Sequence, residues 1–347
     1  MDPTMNPTVP PTLPPTLPPT GRRGPLMSGG TPLSSLAEQG LLARILPLFP
    51  SGDVVVVGPG DDAAVLRTSS RVVATTDTVV LGRDWVDAWS SGADIGHKVV
   101  VQNLADVAAM GGRATGVLLT LVAGPELAVE WVLDHAEGVA QACAELGVAV
   151  LGGDLSSAPA GIVVVSVTAL GTIEGEPVLR SGARPGDQLA VCGSLGLAAA
   201  GLVLLAEGRE DAHPTAVARQ RRPTSPLGAG PEAARAGATA MLDISDGLLR
   251  DGGRIAVASG VVIDVESDAV RRDVEGLVPA LGAEAARECV LTGGEEHSLL
   301  ATFPPGDLPG DWRRIGDVRA VGPGQRAGVL VDGAAPLHSG WDHFRPD

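Results

Sequence analysis

Basic residues are scarce in this sequence, and long hydrophobic runs are absent. The 347 residues carry 25 Lys and Arg against 41 Asp and Glu, which gives a formal charge of −16. That charge argues against a nucleic-acid partner, because contacts with phosphates need clustered basic side chains. No uninterrupted apolar run reaches the ~18 residues that would indicate a membrane span. We therefore expect a soluble globular protein with no membrane partner.

The sequence also has few cysteines and no tyrosine. The three cysteines, Cys143, Cys192 and Cys289, are widely spaced and form no CxxC pair. This pattern is typical of small buried side chains in a reducing cytoplasm rather than of disulfides or a zinc site. Tyrosine is absent and Lys98 is the one lysine, a bias that we interpret as genome composition. Lys98 is predicted to pair with phosphate or a clustered aspartate, or else to be a structural helix residue.

Composition divides the chain into three parts. Residues 1–30 form a Pro-Thr-rich stretch that is predicted to be a disordered tail outside the fold. Strand and helix patterns fill residues 31–177 and again 178–347, on either side of a break rich in Gly, Pro and charge. The length suffices for two domains with separate cores. The mixture of strand pairs and helices predicts a two-domain α/β (α+β) fold.

Common nucleotide-binding motifs are missing. GPGDDA formally matches the dinucleotide motif G-x-G-x-x-A, but it puts two aspartates where a pyrophosphate would bind and leaves no room for the helix that should follow. The run GADIGHKV places His97 between Gly96 and Lys98, so a Walker loop is excluded. The HRD and DFG elements of protein kinases are absent as well. A phosphoryl-transfer enzyme with this sequence would need another scaffold.

Aspartates in short Gly- or Ser-containing stretches are the most informative feature. They are Asp61, Asp62, Asp77, Asp106, Asp154, Asp243 and Asp246. Taken singly, each is explained as a turn residue or helix cap, and Asp246 directly precedes a predicted helix. Asp106 differs because it lies inside an apolar predicted helix, where an unpaired carboxylate is costly. Gathered by the fold, these carboxylates need a counter-charge, which predicts magnesium and a phosphorylated substrate.

Eight segments occur in the order found in the thiamine-monophosphate kinase family, which the sequence resembles from about residue 33 to 344. They are GPGDDAAVL, TTDTVVLGRDW, DIGHKVVVQNLADVAAMGG, LGGDLS, RSGARPGD, LDISDGL, TGGEEHSLL and GWDHF. The resemblance implies an aminoimidazole ribonucleotide synthetase-like fold. It also implies a homodimer whose N-terminal sheets (31–177) pair into a barrel, with ATP bound near that interface. The C-terminal α/β domain (178–347) is implied to close the site.

The resemblance further implies a magnesium-dependent, direct in-line transfer from ATP to thiamine phosphate, with no covalent enzyme intermediate. Position by position, the implied magnesium ligands are Asp62, Thr75, Thr76, Asp77, Asp106, Asp154, Asp243 and Asp246, with Asp106 and Asp246 catalytic. The implied ATP contacts are Gly153, Asp154, Arg180 and Ser245. The implied thiamine phosphate contacts are Asp84, Glu295 and Trp341.

Two departures from the family pattern fall on the acceptor side. The acidic-Gly-x-His-Phe run after the TD motif reads LGRDW at 81–85, and Gly-Gly-Glu-Asp-Tyr reads GGEEH at 293–297. Two alternatives therefore stay open. One is another ATP-dependent member of the superfamily, which would activate an amide through a phosphorylated intermediate. The other is a non-catalytic dimer that binds nucleotide.

Overall fold

The structure, a computed structural model, describes residues 30–35, 38–50, 52–57, 65–68, 71–337 and 340. Asp61, Asp62 and Trp341 lie outside the described residues, as do residues 1–29. Within the described part, the sheet that ends at residue 172 is separate from the one that begins at residue 188. No helix there is both long enough and apolar enough to cross a bilayer.

The first half is built on a four-stranded sheet with the order β3-β6-β4-β5. Its elements are β1 (Val55–Val57), β2 (Val65–Leu66), β3 (Val72–Val80), β4 (Arg113–Ala123), β5 (Ala149–Ser157), β6 (Val163–Thr172), α1 (Glu38–Ile45), α2 (Gly92–Ala109) and α3 (Val129–Leu146). Strands β1 and β2 pair with each other. Along β6 every second side chain from Val163 to Ala169 is buried, so the residues between them face the other side of the sheet.

Helices α2 and α3 cross at a separation that only glycine permits. A Cβ atom on Gly96 would lie 2.3 Å from the His135 carbonyl oxygen, and one on Gly138 would lie 2.1 Å from the Ala93 carbonyl oxygen. Side chains at these positions would push the helices apart. The close crossing gives α2 a fixed place beside the buried face of the sheet, where both helices contribute to one core.

The second half contains a six-stranded sheet with the order β12-β9-β11-β7-β10-β8. Its elements are β7 (Gln188–Cys192), β8 (Ala240–Asp243), β9 (Val262–Val265), β10 (Leu299–Phe303), β11 (Arg313–Arg319), β12 (Gly328–Val331), α4 (Leu197–Ala206), α5 (Pro214–Arg221), α6 (Ala229–Arg235), α7 (Leu248–Ser259), α8 (Arg271–Leu281) and α9 (Ala283–Thr292). Neighbouring strands are antiparallel except β9 and β12, which are parallel.

Helix α2 belongs to both halves. Its last residues, Ala108 and Ala109, share a core with Ala233 of α6 and Met241 of β8. Gly230 permits this contact, because a Cβ there would lie 2.0 Å from the Ala108 carbonyl oxygen. The helix that carries Asp106 is therefore packed against the sheet that carries Asp243.

Sequence patterns predicted the central elements and missed several peripheral ones. Helix α2 begins at residue 92, because Ser91 and Asp94 form a capping box. The patterns did not predict α5, α6, α8, α9 or β11. Helix α8 contains Pro279, and α6 has Gly and Pro in its first turn, so both look like loops in sequence. The expectation of small buried cysteines is confirmed, since all three are buried and unpaired.

Buried His135 makes the fold sensitive to acid. Only 1% of the residue is exposed, and its ring stacks on Trp131 at a centroid distance of 5.2 Å. Burial lowers the pKa of His135 from 6.5 to about 4. The unfolded chain takes up this proton first, so the folded state loses stability as the pH falls from 6.5 through 4. The loss amounts to about 3 kcal/mol at most.

We expect His135→Phe to remove this part of the acid sensitivity, because a phenyl ring binds no proton. Urea unfolding at about pH 7 and about pH 4.5 measures it: the wild type should lose more stability than the variant. His213→Asn is the control, since Nδ1 of His213 accepts the Ala216 N–H and Asn can keep that cap. This control should follow the wild type. Equal losses in the wild type and His135→Phe would contradict the role of His135.

Candidate active site

Carboxylates from three elements meet where α2 joins the two halves. Asp77 lies on β3, Asp106 on α2 and Asp243 at the end of β8. The Thr75 hydroxyl donates to Asp106 Oδ2 over 2.8 Å, and the Asp77 N–H donates to Asn103 Oδ1 over 3.0 Å. These two hydrogen bonds fix β3 against α2, so that the aspartates of both elements are held near each other.

The pKa shifts of these carboxylates reflect their proximity to one another. Burial raises the pKa of Asp106 to about 7, and repulsion from Asp243 and then Asp77 adds to the rise. Burial also raises the pKa of Asp77, with further contributions from Asp243 and Asp246. Such repulsion requires proximity. The structure therefore brings together Asp77, Asp106, Asp243 and Asp246, and we call these four residues the aspartate cluster.

Two loops in the second half run side by side and support the cluster. The Glu295 N–H donates to the Ser245 carbonyl oxygen and the His297 N–H to the Ile244 carbonyl oxygen, each over 2.8 Å. Gly294 permits this contact, because a Cβ there would lie 2.5 Å from the Ser245 carbonyl oxygen. Glu295 and His297 have φ angles of 60° and 53°, in the left-handed region. Non-glycine residues adopt this conformation only where the surrounding structure holds them, often at functional sites.

His297 contacts the cluster directly. It is 6% exposed, and its Nδ1 lies 3.1 Å from Asp243 Oδ2. Burial by itself would lower the pKa of His297, but the hydrogen bond and the charge of Asp243 outweigh burial and raise it. His297 also favours the ionised forms of Asp77 and Asp106. This histidine orients the Asp243 carboxylate and favours ionisation of Asp77 and Asp106.

Asp246 does not cap the helix that follows it, which corrects the simplest interpretation of its sequence position. The first residue before α7 is Gly247, and no side chain caps the helix there. The Asp246 carboxylate pairs instead with Arg254. Fully buried Asp251 accepts the N–H groups of Ser245, over 3.1 Å, and of Asp246, over 2.9 Å. Burial raises the pKa of Asp251 to about 7, although Arg254 opposes the rise.

Lys98 pairs with a glutamate and not with one of the clustered aspartates that its sequence suggested. Its Nζ lies 2.9 Å from Glu295 Oε2, and Gln220 Nε2 donates to the same oxygen over 2.6 Å. The Lys98 side chain is 4% exposed and that of Glu295 is 37% exposed. Burial opposes ionisation of Glu295, but the Lys98 charge and both hydrogen bonds keep its pKa below the usual value. The pair joins α2 to the loop beside the aspartate cluster.

Asp154 lies away from the cluster within one chain. It is on β5, at one edge of the four-stranded sheet, whereas Thr76 and Asp77 are on β3 at the opposite edge. With strands about 4.8 Å apart and two strands between, the two edges are roughly 14 Å apart. Asp154 is exposed and accepts the Ser156 hydroxyl over 2.7 Å. A single chain therefore does not bring this predicted magnesium ligand to the others.

The remaining predicted residues occupy separate places. Gly153 allows close pairing of β5 with β4, because a Cβ there would lie 1.8 Å from the Leu119 carbonyl oxygen. Asp84 lies in the turn after β3, where its Oδ2 accepts the Val80 N–H over 2.7 Å. Arg180 is exposed and lies in the segment that connects β6 to β7. The described contacts include no ion pair between Arg180 and the aspartate cluster.

The donor set of the cluster fits magnesium ions that are shared with phosphate groups. Every donor in the four cluster residues is a carboxylate oxygen, the ligand type that Mg²⁺ prefers. Within the described residues, no three His, Cys, Asp or Glu side chains are arranged to hold a metal ion by themselves. Mg²⁺ is commonly bound by one or two carboxylates together with waters and substrate phosphates. The cluster therefore offers carboxylates for magnesium sites whose remaining ligands would be waters and substrate phosphates.

His297 and Asp251 were not among the residues that the sequence predicted. Asp251 had a detectable signal, because a carboxylate in the first turn of a helix can accept N–H groups from the preceding loop. His297 had no such signal. No periodicity marks it, and its contact with Asp243 depends on the pairing of two distant loops.

Comparison with known proteins agrees with this architecture. Residues 60–173 match the family model for the AIR synthase related protein, N-terminal domain, and residues 184–324 match that for the C-terminal domain. The Mycobacterium tuberculosis thiamine-monophosphate kinase is 41% identical over 91% of this chain and 94% of its own. The thiamine-monophosphate kinase structure from Stenotrophomonas maltophilia is 33% identical and has a TM-score of 0.71, covering 87% of this chain and 98% of that one.

A third relative is the structure of AaThiL complexed with AMPPCP and TMP. It is 32% identical, has a TM-score of 0.71, and covers 91% of this chain and 100% of that one. The two-domain fold and the matched domains define the class, that of the AIR synthase related proteins. The level of identity over nearly the whole length is more specific: the chain belongs to the thiamine-monophosphate kinase family.

Proposed function

We propose that this protein transfers the γ-phosphoryl group of ATP to thiamine phosphate, giving thiamine diphosphate and ADP. The observation that carries the proposal is the aspartate cluster, which lies in a chain that shares its fold with a complex containing AMPPCP and TMP. Family membership at 41% identity supports the same substrates. Three buried, unpaired cysteines support a reducing cytoplasm as its location.

The reaction needs positioning more than acid–base chemistry. The nucleophile is an oxygen of thiamine phosphate, and a phosphate monoester with a second pKa near ~6 is mostly dianionic at neutral pH. No general base is required to activate it. The task of the protein is to hold two polyanions in line at close range, with transfer directly from ATP to the acceptor.

The magnesium ligands that we propose are Asp62, Thr75, Thr76, Asp77, Asp106, Asp154, Asp243 and Asp246. When bound, magnesium reduces repulsion between the two substrates and stabilises charge on the leaving oxygen. The residues around the cluster keep these ligands in place: His297 orients Asp243, and Asp251 holds the loop that carries Asp246. Asp106 and Asp246 are the proposed catalytic members of the set.

We propose Gly153, Asp154, Arg180 and Ser245 as ATP contacts, and Asp84, Glu295 and Trp341 as contacts for thiamine phosphate. The loop geometry supports Ser245, whose N–H is held by Asp251 beside the cluster. The partial exposure of Glu295 supports its contact with a substrate.

One departure from the family pattern lies away from the acceptor. Glu296 is fully buried, accepts the Ala198 N–H over 2.9 Å, and is hydrogen-bonded to the Ser194 hydroxyl. It therefore satisfies an N–H group in the first turn of α4, as an acidic residue at a helix start commonly does. We therefore expect the change at Glu296 to act on the start of α4 rather than on substrate binding.

We propose a homodimer in which the four-stranded sheets of two chains close into a barrel. In the part of the chain that the structure describes, β3 pairs with β6 alone and β5 with β4 alone, so each sheet has two open edges. Val72 and Leu118, on the face turned away from α2 and α3, are 52% and 36% exposed. Pairing of β5 with β3 of the second chain would place the strand that carries Asp154 beside the strand that carries the partner's Thr76 and the partner's Asp77.

Incubation of the purified protein with ATP, magnesium and thiamine phosphate tests the activity. We expect thiamine diphosphate, detected as fluorescent thiochrome after oxidation, and no product once EDTA is added. A formylglycinamidine-type amide replaces thiamine phosphate in a parallel reaction, with ADP release as the readout. ADP release with the amide alone would favour the amide-activating alternative, and MgATP binding without any transfer would favour the non-catalytic one.

A further inference from the structure

Glu295 is restrained at three points although its side chain is 37% exposed. Its N–H donates to the Ser245 carbonyl oxygen, and its Oε2 accepts from Lys98 Nζ and Gln220 Nε2. Its backbone has a φ of 60°, a left-handed conformation that a non-glycine residue keeps only where the surrounding contacts hold it. A carboxylate that only needed solvation would not require this restraint. The arrangement is that of a group presented to a ligand.

The contacts leave one oxygen available. Both donors bind Oε2, and Oε1 takes part in neither hydrogen bond. The Lys98 side chain is 4% exposed, against 37% for Glu295, so the cation lies beneath the carboxylate and the carboxylate lies at the surface of the site. Oε1 is thus the oxygen that a donor on a substrate can reach.

The residue type at position 98 suits this role. Lys98 is the only lysine in a chain with 25 basic residues of the Lys and Arg types. An ammonium group is a compact point charge that can donate to one carboxylate oxygen, whereas a planar guanidinium donates through a fixed fork. The restraint also spans the two halves of the protein, since Lys98 lies on α2 and Gln220 on α5.

We propose that Lys98 and Gln220 are positioning residues that orient the Glu295 carboxylate toward thiamine phosphate. The proposal rests on the proposed function, in which Glu295 contacts the acceptor. Removal of either donor lets the carboxylate turn into solvent, where it binds the acceptor less well. ATP lies on the other side of the transferred group, so its binding should be unaffected.

Lys98→Met tests the proposal and keeps the length of the side chain. The fold should tolerate it, because the partly exposed Glu295 carboxylate can turn to water when its partner is removed. We expect KM for thiamine phosphate to rise about 10-fold and kcat to change by less than about 3-fold. Calorimetric Kd values for thiamine phosphate, measured with Mg-AMPPCP present, should rise equally. The Kd for MgATP alone should not change.

Two further sets of variants test whether Lys98 orients the Glu295 carboxylate or only helps to hold the two halves of the protein together. Arg222→Met breaks the Arg222–Asp94 ion pair, which also joins α2 to the second half, and should leave both affinities unchanged. Glu295→Gln and the double variant Lys98→Met/Glu295→Gln complete a double-mutant cycle. We expect the double variant to bind thiamine phosphate no more weakly than Glu295→Gln, and Gln220→Met to show a smaller effect than Lys98→Met.

The outcomes distinguish the inference from the function on which it rests. A wild type that binds thiamine phosphate but transfers no phosphate refutes the proposed function and still allows the affinity comparison. A wild type that does not bind thiamine phosphate refutes both. Normal thiamine phosphate affinity in Lys98→Met overturns the positioning role. So does a matching loss of MgATP affinity, or an additive effect in the double variant.

Discussion

Asp106→Asn is expected to slow turnover at least ~10²-fold, the scale of losing one electrostatic stabiliser of the transition state. Asparagine has the same shape and keeps an oxygen that can accept the Thr75 hydroxyl, so the fold of α2 should remain. It lacks the charge that we propose for magnesium binding. Initial rates at saturating ATP and thiamine phosphate, over a series of magnesium concentrations, measure the effect. Near-normal turnover would refute the metal-binding role of Asp106.

The same substitution should stabilise the protein when magnesium is removed. The pKa of Asp106 is raised from 3.8 to about 7 in the folded state. A carboxyl group with a raised folded pKa lowers stability as the pH increases from about 4 to about 7, because the unfolded chain loses the proton first. Asparagine removes this cost, which is about 4 kcal/mol at most at neutral to alkaline pH. Melting temperatures in EDTA should therefore rise in the variant, and MgATP should stabilise it less than the wild type.

Asp94→Asn is the matched control, since it is the same substitution on the same helix. Burial tends to raise the pKa of Asp94, but the interactions with Arg222 and Ser91 outweigh burial and keep this pKa below its usual value. Loss of that carboxylate should lower stability in EDTA and leave turnover within a few-fold of the wild type. If Asp106→Asn also melts below the wild type in EDTA, the aspartates do not repel one another as the structure indicates.

Sequence could predict the gathering of aspartates because several lie in short Gly- or Ser-containing stretches and one, Asp106, carries a local cost. Asp106 in an apolar helix marked a carboxylate that needs a counter-charge. The structure places Asp77 and Asp243 near it, and their repulsion adds to that need. The two-domain α/β fold was likewise predictable, because central strands and helices such as β6 and α3 carry clear hydrophobic periodicity.

The restraints around the cluster could not be predicted from local pattern. Lys98 and Glu295 are 197 residues apart, and their contact exists because α2 packs on the second half. Asp246 looked like a helix cap because a helix follows it. Its carboxylate instead forms an ion pair with Arg254, which lies almost two turns into α7. Pairings of this kind depend on how packed elements meet, and turn or capping preferences do not encode them.

Mixed dimers should recover activity if Asp154 serves the site of the second chain. We expect Asp106→Asn and Asp154→Asn each to be nearly inactive as homodimers. In a dimer with one chain of each kind, one site has both substitutions. The other site combines intact Asp106 with intact Asp154 of the partner subunit. Mixed dimers purified through two different affinity tags should therefore show about half of wild-type turnover, one intact site out of two.

A second mixture provides the control, because Asp106 and Asp243 belong to the same cluster within one chain. In a mixed dimer of Asp106→Asn with Asp243→Asn, each site keeps one substitution, so activity should stay near that of the parents. Recovery with Asp154→Asn but not with Asp243→Asn requires that Asp154 of one chain serves the site of the other, as the proposed pairing of β5 with β3 predicts. If neither mixture recovers, Asp154 acts within its own chain or not at all, and a monomer in sedimentation would exclude the barrel. The open edges of the four-stranded sheet and the distance of Asp154 from the cluster make recovery the expected result.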